Sequence, residues 1–168
     1  MRFEGYARLF VLRRLRCFDG MIEVDEQFSV SAPAAVVWEV LADPYVVVEC
    51  VPGAAIVGQG ADGAFDTLVA VRFGPMSVAF QARALLSLVA EERTGRIEAK
   101  GKDKLGGARF VASVTFRVLD QPSGALVAIH GQVEISGRLA SVIEGGAGIV
   151  VKRMSAEFAR CLSARCSS

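Results

Sequence analysis

His130 is the only histidine in the chain, so any imidazole-dependent proton transfer has to run through it. Its neighbours Val127, Ile129, Gly131 and Val133 take the apolar parity of a strand, which puts His130 on the solvent side with Gln132 and Glu134. The cysteines Cys17, Cys50, Cys161 and Cys166 form no CxxC pair and have no histidine at metal-ligand spacing. Free thiols in a reducing cytosol are expected, with Cys50 a small buried hydrophobe. No G-x-S-x-G elbow is present, so no nucleophile–base set emerges and no catalytic or metal site is expected.

The carboxylates are scattered: Glu23, Asp25, Glu26, Asp66, Glu91, Glu92, Glu98, Asp103, Glu134 and Glu144. Glu26 differs from the rest because it shares the strand parity of Ile22, Val24, Phe28 and Val30. A carboxyl group on that face either acts as a base with a raised pKa, anchors a polar ligand group, or is paired or solvent-reaching. The glycines Gly58, Gly60, Gly63, Gly101, Gly106 and Gly107 lie in or beside turns. They open no helix in a phosphate-binding pattern, and no cofactor is expected.

These residues need a scaffold, and alternation supplies one. Strand patterns run over 22–30, 54–59 and 64–73, with Asp62-Gly63 as a tight hairpin signal between the last two. Further strands are expected from Val78 to Leu88, Arg96 to Gly101, Phe110 to Val118 and Val127 to Ile135, with Thr94-Gly95 and Pro122-Ser123-Gly124 as turns. Ser31 and Pro33 read as an N-cap and first turn for a short helix over 34–41. Asp43-Pro44 stops that helix, and a second short one runs toward Cys50. A long helix is expected over 139–162, with Leu139, Val142, Ile143, Val150, Met154, Phe158 and Leu162 on one face.

The order implies an α+β domain: a curved antiparallel sheet of about seven strands, two short helices, and a long C-terminal helix over the apolar face. Gly145, Gly146 and Gly148 each cost that helix roughly 1 kcal/mol relative to alanine. Either close backbone packing or a bend at a pocket mouth accounts for them. Small inward residues beside large ones leave room for a hydrophobic cavity. Its expected lining is Phe28, Phe80, Ala82, Ala84, Phe110, Ala112, Val114, Phe116, Ile129, Gly131, Val133, Val142, Gly145 and Met154.

The 168 residues suit one such domain, over 21–168. A formal charge of +1 gives no general case for nucleic acid, and Phe80, Phe110 and Phe116 take the apolar parity rather than a solvent-facing stacking platform. Residues 1–20 carry five arginines against Glu4 and Asp19, and read as a basic extension upstream of Met21, itself a plausible alternative start. A membrane-surface helix with Phe3, Phe10, Val11 and Leu12 on its apolar side is the alternative. No apolar run reaches the ~18–20 residues of a membrane span.

The segment Ser31-Ala32-Pro33-Ala34-Ala35-Val36-Val37-Trp38-Glu39-Val40-Leu41-Ala42-Asp43-Pro44 resembles the first-helix signature of the START/Bet v 1-like (SRPBCC) superfamily. Val51-Pro52-Gly53-Ala54, Gly74-Pro75, the loop Gly101-Lys102-Asp103-Lys104-Leu105-Gly106-Gly107, and Val133-Glu134-Ile135-Ser136-Gly137-Arg138-Leu139-Ala140 followed by glycines resemble the CoxG family of carbon monoxide dehydrogenase subunits. The resemblance covers about residues 21–165. It implies a helix-grip fold with an internal hydrophobic tunnel, and an accessory protein of molybdenum hydroxylases such as aerobic carbon monoxide dehydrogenase. Such a protein recruits the enzyme to the cytoplasmic membrane and carries a quinone between them. The resemblance brings no catalytic residues with it, so the named inward residues inherit pocket-lining status only.

Longer family members continue into a membrane-binding tail. This sequence ends at Ser168, so the arginine-rich N-terminus is the expected substitute anchor. The resulting expectation is a cytoplasmic, non-enzymatic binder of a quinone or lipid, with molybdenum hydroxylase subunits as partners and peripheral contact at the inner membrane face. The rivals are a cyclase- or hydrolase-like enzyme using Glu26 as base, and a protein-interaction subunit with no cavity beneath Gly145–Gly148.

Overall fold

The computed structural model describes residues 11–167. Eight strands form one antiparallel sheet: β1 (Val11–Phe18), β2 (Met21–Val30), β3 (Ala54–Gln59), β4 (Phe65–Phe73), β5 (Met76–Val89), β6 (Thr94–Asp103), β7 (Arg109–Gln121) and β8 (Gly124–Ser136). Their spatial order is β1-β2-β8-β7-β6-β5-β4-β3. The short helices α1 (Ala34–Ala42) and α2 (Pro44–Cys50) separate β2 from β3, and α3 (Ala140–Cys166) closes the chain over the sheet.

The alternation read from sequence sets the register. Glu26, Ile129, Phe116 and Gly95 face one another across β2, β8, β7 and β6, and Val114, Ile97 and Leu86 form part of the next inward row. Gly95 is required by close approach, because a Cβ there would collide with the Phe116 ring.

Several local expectations are corrected. The sheet has eight strands rather than about seven, because Val11–Phe18 pairs with β2 as an edge strand instead of forming a surface helix. The turn between them is Asp19-Gly20, both with positive φ (45° and 78°), a tight hairpin geometry. Phe3 and Phe10 lie outside the described residues. Thr94 and Gly95 belong to β6, and the turn before it is a 3-10 turn over Ala90–Glu92 with left-handed Arg93. Pro33 rather than Ser31 occupies the α1 N-cap and makes no side-chain cap. Asp43 ends α1 and caps α2 through Oδ1, which accepts from the Tyr45 and Val46 amides, with Pro44 in the first turn.

The core beneath α3 divides in two. One cluster joins α1, β2, β7 and β8 to the end of α3 through Phe28, Val37, Leu41, Phe116, Val127 and Leu162. The other joins β4 and β5 to the start of α3 through Val71, Phe73, Val78, Phe80, Ile143, Ala147 and Val150. The helical glycines lie over this second, filled cluster. A Cβ on Gly146 would meet Phe73 at 3.0 Å, one on Gly148 would meet Leu15 at 3.3 Å, and one on Gly145 would meet open space. Close packing therefore explains Gly146 and Gly148, and the interior beneath them is not where a cavity opens.

Candidate functional site

A cavity of about 350 Å³ lies between the sheet and the two short helices. The sheet contributes Ala54 and Ile56 from β3, Phe65, Thr67 and Val69 from β4, Ala84 and Leu86 from β5, Ile97 from β6, Val114 and Phe116 from β7, and Ile129 from β8. Opposite them stand Leu41, Pro44, Val47, Val48 and Val51 around α2, and Phe158 of α3. Thr67 is the one polar side chain among these, and its hydroxyl already donates to the Ala82 carbonyl at 3.2 Å. The walls offer shape and dispersion but no unsatisfied side-chain donor or acceptor, so the site suits an apolar guest.

The cavity can exist because small side chains sit in mid-sheet. Ala84 pairs with Ala99 on one side and Phe65 on the other, leaving depth that leucine or valine would fill. Trp38 of α1 packs on Phe116 with ring centroids 6.2 Å apart, which places the chain's single tryptophan one ring behind the cavity wall.

Of the positions expected to line a pocket, Ala84, Val114, Phe116 and Ile129 border this cavity. Phe28 belongs to the first apolar cluster, while Phe80, Phe110, Val133 and Met154 belong to or pack on the second. Ala82 borders a depression on the outer side of the sheet, beside Arg83, Lys100 and Lys102. Ala112 and Gly131 keep the inward register without bordering the cavity. Val142 is corrected outright: it is 47% exposed, turned away from the face that buries Ile143. Gly145 likewise touches nothing that a side chain would meet. Sequence reasoning misses the α2 residues because no strand periodicity marks them. Leu86, Ile97 and Phe158 carry a readable signal in their parity.

Glu26 is buried where the two apolar clusters meet. On β2 it lies between Val24 and Phe28, and its Oε1 accepts from the Ser155 hydroxyl of α3 at 2.6 Å. Burial pushes its carboxyl above the usual carboxylate range, and the Ser155 hydrogen bond opposes this in part. His130 faces outward as expected, its Nδ1 2.6 Å from Asp25 Oδ1. Together with Glu23 these residues bring three possible ligand atoms within 4.8 Å of one another. Arg14 and Arg16 of β1 stand opposite Asp25 and Glu23 in the ladder, which makes this a charge-matched surface cluster.

The expectation of four free thiols is overturned. Cys50 of α2 and Cys161 of α3 form a disulfide, with Cα atoms 5.3 Å apart and 111 residues between them in sequence. Among the described residues Cys17 and Cys166 are free, and burial raises the thiol pKa of each. No helix among the described residues is long and apolar enough to cross a membrane.

Residues 27–167 match the family described as CoxG, the G-type subunit of carbon monoxide dehydrogenase. A search of curated proteins finds no match. Among solved structures, the chain is similar to a conserved protein from Geobacillus kaustophilus, at 12% identity and a TM-score of 0.74, covering 86% of this chain and 95% of that one. It is also similar to the Zhui aromatase/cyclase from Streptomyces sp. R1128, at 18% identity and TM-score 0.62, covering 88% and 94%. A START superfamily protein from Mycobacterium smegmatis matches at 14% identity and TM-score 0.53, covering 86% and 97%. At these identities the likeness is one of fold: the curved sheet gripping a C-terminal helix.

Proposed function

Because the chain belongs to the CoxG family of carbon monoxide dehydrogenase subunits, we propose that it is a non-enzymatic carrier of a hydrophobic ligand. The ligand is an isoprenoid quinone, and the carrier serves a molybdenum hydroxylase such as carbon monoxide dehydrogenase at the cytoplasmic face of the membrane. The observation that carries this reading is the cavity itself, walled by apolar side chains with its one hydroxyl already engaged. Each CH₂ transferred into it contributes roughly 0.8 kcal/mol, so a quinone ring and prenyl carbons are held without a charged contact.

The test is mass analysis of organic extracts from freshly purified protein, followed by quinone titration read through Trp38 fluorescence. Co-purified quinone or lipid and saturable quenching are expected. An empty extract together with unquenched Trp38 overturns the carrier.

Glu26 supports a second reading, an enzyme of the same fold using a buried carboxyl as base. Its burial and its single hydroxyl partner are what a poised acid–base group requires. Turnover that vanishes in Glu26→Gln while the fold survives would establish it, and unchanged turnover would remove it. The filled interior beneath the α3 glycines, taken alone, favours a protein that only docks other proteins; the void beside α2 is the counter-argument.

A further inference from the structure

We propose that the Cys50–Cys161 disulfide is a redox latch on the cavity: oxidised, it holds α2 against α3 and restricts the guest to a headgroup, and reduced, it lets α2 swing out for a long alkyl tail. This rests on the hydrophobic-carrier reading and adds to it the regulation of the same site. A volume of about 350 Å³ is near the bottom of the ~300–1,000 Å³ range of small-molecule pockets, so a long tail needs a wall to move.

The geometry identifies that wall. The sheet side is held by continuous ladders through β3 to β8 and cannot yield locally. α2 is seven residues long, begins at Pro44, and is followed by Pro52 and left-handed Gly53 (φ 76°), so it has a defined joint at each end. Val47 and Val48 face the cavity from α2, and Cys50 is its one buried residue. The bridge therefore secures the only part of α2 that is anchored deeply. The remaining tie to α3 is the exposed Glu49–Arg165 ion pair, a type of contact that holds little on its own. At the other end Tyr45 rests edge-on against Phe65 of β4, a hinge-side contact. Phe158, which closes the cavity from α3, lies one turn before Cys161, so the bridge spans the two helices beside the wall they share.

The chemistry balances with a dithiol reductant. Its thiolate attacks the sulfur of Cys161, the less buried partner, releasing Cys50 as thiolate. Its second thiol then displaces Cys161. One S–S bond breaks in the protein, one forms in the reductant, and two electrons and two protons end on Cys50 and Cys161.

The experiment measures binding of 2,3-dimethoxy-5-methyl-1,4-benzoquinone, without a tail and with a decyl tail, by Trp38 quenching. Three preparations of the full chain are compared: air-oxidised, dithiothreitol-reduced and desalted without oxygen, and Cys50→Ser/Cys161→Ser. The tail-free quinone should bind all three within about twofold, and the decyl form should bind the two unbridged proteins at least tenfold more tightly than the oxidised one. Equal decyl affinity in all three overturns the latch and leaves the carrier standing. Failure of both quinones to bind any preparation overturns the carrier itself. Four titratable thiols in the air-oxidised protein, instead of two, also overturn the latch. Should the double variant fold poorly, the reduced wild-type protein decides the comparison.

Discussion

Glu26 ionises less readily in the folded protein than in the unfolded chain, because burial disfavours the charge more than Ser155 favours it. Its contribution to stability is therefore fully present below the unfolded pKa and is lost as pH rises through the higher folded value. Glu26→Gln keeps an acceptor for Ser155 and cannot ionise. Its Tm relative to the parent should rise between pH 4 and pH 8, as followed by thermal melts across that range; a constant difference would mean the carboxyl is not desolvated. Asp103 shows the opposite use of a buried carboxylate. It accepts from the Leu105 amide at 2.5 Å and the Gly107 amide at 2.7 Å, and the Gly107 carbonyl in turn accepts from the Leu139 amide at the start of α3. Asp103→Ala strands two loop amides and should cost about 1–3 kcal/mol in urea unfolding, with Asp103→Asn costing less.

At the scale of elements, the α3 glycines make a contrast that a helix-propensity argument alone cannot. Gly145→Ala places its methyl in open space and should stabilise by about 1 kcal/mol, whereas at Gly146 the methyl meets Phe73 and most of that gain should vanish. Denaturant midpoints of the two variants should differ accordingly. The strands are largely legible in the sequence, since Phe80, Phe110 and Phe116 announce the inward parity of β5 and β7, and the ladder keeps it. β1 carries the same kind of signal: Arg14 and Arg16 alternate with Leu15 and Cys17, and Asp19-Gly20 marks the hairpin, but the run of arginines suggests a separate extension. The disulfide is not legible. Its cysteines are 111 residues apart and meet only because α2 folds down onto the last turns of α3.

At the scale of the whole molecule, a void is a difference between two surfaces, and sequence records each surface separately. Small residues in mid-sheet correctly signal depth at Ala84. The glycines of α3 point to the wrong end, because Phe73 and its neighbours fill that space while α2 stands off the sheet at the other. That contrast makes Ala84 the position to probe. Ala84→Leu adds carbon where the protein has none and removes the room a guest would occupy. Filling an apolar void recovers packing lost to the cavity, so the ligand-free variant should melt higher than the parent, by the equivalent of roughly 1 kcal/mol. Quinone quenching of Trp38 should fall at least tenfold in the same variant. Stability and binding then move in opposite directions, which damage to the fold cannot produce. A variant that melts lower and binds equally well would mean that the guest lies elsewhere and that the space over Ala84 is merely unfilled core.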